Sequence, residues 1–312
     1  SYTVAAGQNT AALAASAVNL NGATIADVSG NAANVSLTGH TQSGPQIDTT
    51  TPSVSSVVAS GTGITSGTGD LGVGSVVTLT VNLSEAVTVA SGTPTLTLND
   101  GGTATYTGGS GSNALTFSYT VAAGQNTSDL SVTAVNLNSA TVKDGAGNAA
   151  NLTGAVTTPA GTLQIDTTTP SVSSVAASGT GITSGTGDLN AGHVVTLTLN
   201  LSEAVTVAGG TPTLTLNDGG TATYTGGSGS NALTFSYTVA AGQNTSDLAV
   251  TAVSLGTATV QDGAGNAADL TGAVTTPPAR CRSTPRRLRY RQWWLRAPAS
   301  RLAPAISRPA AW

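Results

Sequence analysis

Methionine is absent from all 312 residues and cysteine occurs once. With one thiol, no disulfide within the chain can hold a domain together. Bases are almost as scarce. Residues 1–277 contain one, Lys143, against 14 acids, a formal charge of 1 − 14 = −13. The other nine are arginines between Arg280 and Arg308, so the whole-chain charge of −4 hides two unlike parts. A surface this acidic argues against nucleic acid as a partner. The only histidines are His40 and His193, and matching places elsewhere in the repeat carry Thr157 and Ser75. No Cys/His cluster and no G-x-S-x-G elbow exists, so the sequence lacks the parts of an enzyme. No stretch reads as a signal peptide or a membrane span, and no membrane insertion is expected.

What remains is rich in glycine, threonine and alanine, and it repeats. Ser-Tyr-Thr-Val-Ala-Ala-Gly-Gln-Asn-Thr occurs at residues 1, 118 and 236, a period of 117–118. That period suits one independently folding domain rather than one coil of a solenoid. Residues 1–48 are the C-terminal part of one copy, 49–166 a complete copy, and 167–277 a copy lacking only its closing linker. The linker reads GTLQIDTTTP at 161–170 and PQIDTTTP at 45–52. Proline fixes its own φ and biases the threonine before it towards extended backbone, so the linker is short and stiff. The chain opens inside a repeat and reads as a fragment of a longer protein.

Each copy carries a β signal. Val77, Leu79, Val81 and Leu83 alternate with Thr78, Thr80 and Asn82. Leu115, Phe117, Tyr119 and Val121 alternate with Thr116, Ser118 and Thr120. Such alternation puts one face in a core and one in water. Asn99-Asp100-Gly101-Gly102 and Thr107–Gly111 are turn chemistry. The slip in phase across Leu130, Val132, Val135 and Leu137 predicts a bulge. Roughly seven to nine short strands per copy predict an all-β antiparallel sandwich.

Three motifs add a resemblance: SVVTLTVNLSEAVTV, then VKDGAGNAANL, then QIDTTTPSV. Residues 1–277 are similar to the bacterial Ig-like repeats of large secreted adhesins and RTX-type surface proteins. The resemblance implies tandem immunoglobulin-like β-sandwich domains used as a stalk, with calcium near the domain junctions. It implies an extracellular or bacterial cell-surface location. The expected partners are neighbouring repeats of the same chain, and a host or surface ligand met through other domains. The RTX nonapeptide G-G-x-G-x-D is absent, so this is not a calcium β-roll.

Candidate calcium ligands follow from the acids and amides that recur. Asp144 and Asn148 bracket a loop with Gly145 and Gly147, repeated as Asp262 and Asn266 and as Asp27 and Asn31. A carboxylate and an amide four residues apart offer the mixed oxygens that calcium takes. Glu85, Glu203, Asp48 and Asp166 complete the set if the fold brings them to the same end. The same residues are also turn formers that bond local backbone. Asp129 has Ala12 at its matching place and is the least promising acid. Two other functional classes stay open: a polysaccharide-binding module, for which Tyr106 and Tyr224 are the candidate aromatics, and a spacer for an enzyme lying elsewhere.

Residues 278–312, Pro-Ala-Arg-Cys-Arg onward, depart in composition from everything before. Regrouping permitted codons for Pro278 to Ile306 by one base gives GTLQIDTTTP followed by SVSSVVASGTGITSGTGDL. This matches residues 161–170 and then 53–71 at all 29 positions. The tail is therefore expected to be the next repeat read out of frame, never selected to pack, and disordered.

Overall fold

The apolar members of the alternating runs turn inward and build one core per complete copy. The computed structural model describes residues 1–274 and the backbone of 281–283. The expectation for 278–312 otherwise falls outside the described residues. The first complete copy has nine strands: β1 (Val54–Ser60), β2 (Gly69–Leu71), β3 (Val76–Ala90), β4 (Thr95–Leu98), β5 (Thr103–Gly108), β6 (Ser112–Thr120), β7 (Val132–Asn136), β8 (Thr141–Lys143) and β9 (Leu163–Ile165). The second repeats them as β10 (Val172–Gly179), β11 (Gly187–Leu189), β12 (Val194–Ala208), β13 (Thr213–Leu216), β14 (Thr221–Gly226), β15 (Ser230–Thr238), β16 (Val250–Ser254), β17 (Thr259–Gln261) and β18 (Cys281–Ser283).

The main sheet of the first copy runs β1-β3-β6-β5-β4-β7, with β8 added on β3, all antiparallel. The long strand β3 makes the sheet curl. Its first half pairs with β1 and β6. Its last residues, Thr88–Ala90, leave β6 for β8. The ladder to β6 jumps from Asn82↔Ala114 to Val87↔Ser112, so the Ser84-Glu85-Ala86 segment lies at the bend. The second copy repeats this topology, giving two curled antiparallel sheets and an all-β sandwich fold. The predicted bulge sits at Thr133, where pairing steps from Thr97↔Ala134 to Leu98↔Val132.

Val77, Leu79, Val81, Leu83, Leu115, Phe117 and Tyr119 are buried in the first core. Each large side chain removed from water contributes about 1.5–3 kcal/mol. The Tyr119 hydroxyl is held by Asp100 and Gln125, while the other Asp100 oxygen accepts the Gly102 N–H at 2.8 Å. Burial, then the bond and charge of Asp100, push the Tyr119 hydroxyl far above its ordinary range. It stays protonated and pins the β4–β5 turn to β6. Tyr119→Phe is expected to lower stability by about 1–2 kcal/mol, measured by urea unfolding with an unchanged m-value.

Residues 1–48 form no strand and hold only the isolated bridges Thr10↔Ile47 and Ala26↔Ala32. Val18 and Ile25 are 45% and 49% exposed. Their counterparts Val135 and Val142 pair with Leu96 on β4 and Val89 on β3. Residues 1–48 hold no counterpart of β3 or β4, the strands that pair with the counterparts of Val18 and Ile25.

Candidate metal centre at the domain junctions

Two carboxylate clusters lie where one repeat meets the next. The sequence logic is the same at both. β8 lies along the end of β3, which sets the Asp144–Asn148 loop beside Glu85 at the bend. The linker then crosses this corner, held by a bond from Asn151 N–H to Pro52 O at 2.8 Å, and carries Asp48 in. One carboxylate oxygen each from Asp48, Glu85 and Asp144 lie within 4.8 Å of one another. Asp166, Glu203 and Asp262 meet in the same way in the second copy. The first cluster opens on a cleft of about 370 Å³ lined by Gln46, Asp48, Glu85, Ala86, Asp144, Gly145 and Ala146.

The loop holds its aspartate rigidly. Asp144 Oδ1 accepts the Gly147 and Asn148 N–H groups at 2.7 and 2.8 Å. Gly147 has φ +98°, a backbone that favours glycine. The Asn148 Nδ2 donates to Asp144 Oδ2 at 2.7 Å and to the Asp48 carbonyl at 3.1 Å. Asn266 does the same to Asp262 and to the Asp166 carbonyl, both at 2.9 Å. Two acceptors face each amide nitrogen, which fixes the side-chain orientation. The asparagines thus orient the aspartate and tie the linker to the loop through their nitrogens. Burial raises the Asp144 carboxyl, but the bonds from Asn148, Gly147 and Ala146 outweigh it and hold it below the usual range.

The glutamates show the opposite electrostatics. Burial first, then the charges of Asp48 and Asp144, push Glu85 up. Burial first, then Asp166, Asp262 and Asp70, push Glu203 up. Glu85 Oε1 and Glu203 Oε1 are buried without a hydrogen-bond partner among the described residues. A buried acceptor left unpaired is costly.

Asp70 is the residue that sequence reasoning missed. It sits on β2, which pairs in parallel with β9 at Asp70↔Gln164. The Asp166 N–H donates to Leu71 O at 3.0 Å, so the linker leaves β9 beside the Asp70 carboxylate. Burial, then Asp166 and Asp262, raise Asp70, and its Oδ1 is buried without a hydrogen-bond partner among the described residues. Its Oδ2 lies against Gly263 of the following domain, where a Cβ would come within 2.6 Å. The second junction therefore gathers four acids, one of them from the preceding domain. The signal in the sequence was the recurrence of Asp70 as Asp188. Asp27 and Asn31 remain apart from any cluster. Asn31 donates to Asp27 Oδ2 at 2.8 Å, and the pair is exposed.

Tyr106 lies within the sheet on β5, packed edge-on against Phe117 with ring centroids 5.7 Å apart, and its hydroxyl accepts the Ser110 N–H. Tyr224 packs on Phe235 identically. No helix among the described residues is long and apolar enough to cross a membrane. No protein-family model matches the chain, and no curated protein sequence matches it either.

Proposed function

We propose that this chain is a spacer: a row of immunoglobulin-like domains in a large extracellular bacterial adhesin, stiffened by calcium at its junctions. One observation carries the reading. Asp70 of one domain, Asp166 of the linker and Glu203 and Asp262 of the next domain converge. Two of their oxygens, Asp70 Oδ1 and Glu203 Oε1, are buried and lack a hydrogen-bond donor among the described residues. All-oxygen donor sets of this kind suit a hard divalent cation. Asp70, Asp166, Glu203 and Asp262 would hold the ion at the second junction, and Asp48, Glu85 and Asp144 at the first. Calcium would supply the positive charge that lets these carboxylates sit together. Because Asp70 and Glu203 belong to different domains, a shared ion resists hinging between them.

Small-angle scattering of the intact chain tests the spacer reading. With about 10 mM calcium, a saturating level for extracellular modules, the two domains should settle into one narrow distribution of separations. Without it, or in Asp70→Asn, the distribution should broaden. Identical scattering profiles with and without calcium would overturn the stiffening role.

A further inference from the structure

The turn that follows β2 occurs in both complete copies, and its backbone does not require glycine at the first position. It reads Gly72-Val73-Gly74-Ser75 in the first copy and Asn190-Ala191-Gly192-His193 in the second. The Ser75 N–H donates to Gly72 O at 3.2 Å, and the His193 N–H donates to Asn190 O at 3.1 Å. Gly74 and Gly192 take φ +85° and +90°. Their N–H groups donate to Val121 O at 2.9 Å and Val239 O at 2.8 Å. The two turns match bond for bond, so asparagine fits the backbone that Gly72 adopts. β9 anchors the first turn from within its own domain: it pairs with β2, and its Leu163 N–H donates to Asp129 Oδ1 at 3.0 Å.

What Gly72 faces sets it apart. A Cβ there would come within 2.8 Å of the Ala264 carbonyl oxygen and 3.1 Å of Asn266 Oδ1, both in the following domain. Such close approach of backbone is a reason for glycine that has nothing to do with φ. Asp70, two residues earlier, meets Gly263 of the same loop. Gly145, the equivalent of Gly263 in the first copy, has open space around it among the described residues. The Asp262–Asn266 loop therefore sits on the first domain along the line from Asp70 to Gly72. Asn266 lies at this contact, its nitrogen bonded to Asp262 and to the Asp166 carbonyl. A side chain at position 72 would press on the residue that orients Asp262 and would lift Asp70 away from it.

We propose that the turn after β2 is a docking seat for the Asp-Gly-Ala-Gly-Asn loop of the next repeat, and that the first residue of the turn decides whether the seat is open. Glycine opens it, as Gly72 does. Asparagine closes it, so the second domain, with Asn190, cannot hold a following loop in the same way. The row then contains two grades of junction, seated and hinged, between repeats that otherwise share their sequence. Gly72 is a positioning residue, acting on the junction acids through Asp70 and Asn266. The seat is a backbone contact and needs no ion. Its effect on calcium rests on the junction reading proposed above.

Amide NMR of the intact chain tests this, with Glu85→Gln as a common background so that only the second junction answers to calcium. Without calcium, Gly72→Asn should shift the signals of Gly263, Ala264 and Asn266, while those of Leu79 and Phe117 in the first core stay in place. Calcium titrated into the same sample should then bind the second junction roughly ten- to a hundredfold more weakly, the range for groups that orient a metal ligand. Gly72→Ala, which adds one carbon, should fall between. Asn190→Gly, the reverse exchange in the second domain, should change neither the shifts nor the affinity. Signals at Ala264 and Asn266 that ignore both Gly72 variants overturn the seat. Shifted signals with calcium affinity unchanged overturn the positioning role of Gly72. Shifts that move in a chain that never responds to calcium uphold the seat and sink the junction reading instead.

Discussion

Calcium at about 10 mM should raise the thermal unfolding midpoint of the intact chain by roughly 5–10 °C. The figure follows from dissociation constants of about 10⁻⁴–10⁻³ M for extracellular sites. Linkage then gives about 1.4–2.7 kcal/mol of added stability per site, and domains of this size respond by several degrees per kcal/mol. Glu85→Gln should remove the response of the first junction, Glu203→Gln that of the second, and the double variant should respond to neither. Without calcium the double variant should unfold no earlier than the parent. The lost charges are ones their neighbours repel, and a glutamine amide can donate to those same carboxylates. Asp70→Asn should weaken only the second junction. Magnesium, which prefers a tight octahedron and keeps its waters, should have a smaller effect. A midpoint that stays fixed up to tens of millimolar calcium would sink the metal reading.

The fold was legible in the sequence because alternation is a local signal. Val77 to Leu83 and Leu115 to Val121 name their own buried face. The slip near Val132 marked its bulge. The site was legible only in part. Asp144 and Asn148 stood out as a loop, but spacing alone assigned the amide as a ligand. Its role as a donor to Asp144 and to the Asp48 carbonyl depends on a linker residue 100 positions away. Asp129 stood as the acid without a consistent match, and Asp70 was passed over. Both acquire partners only through the β2–β9 pairing, which joins residues some 94 apart in sequence. No local pattern encodes a contact of that separation. Tyr106 stood as a candidate aromatic for a ligand, yet β5 lies between β6 and β4, and its ring packs on Phe117.

Removing the side chains of the linker strand should cost more than any change at the junction surface. Leu163→Ala and Ile165→Ala each take a nearly fully buried side chain out of the first core. Such truncations lose about 2–5 kcal/mol each, from lost transfer free energy and the void left behind. A domain's whole stability is about 5–15 kcal/mol, so the double variant should leave the first copy unfolded or close to it at room temperature. Scanning calorimetry should show the first copy's transition lowered or lost and the second copy's preserved, because the two cores are separate clusters. Ile47→Ala is the control. Its side chain is only half-buried, and Thr10 bridges its backbone in a segment without strands, so stability should change by about 1 kcal/mol or less. The double variant should also lose the calcium response of the second junction. Asp166 is placed by its bond to Leu71 O at the end of β2, and Asp70 lies in that same strand. Calcium stabilisation at the second junction that survives loss of β9 would show that the ion needs only the following domain, and Asp70 would then have no part in holding it.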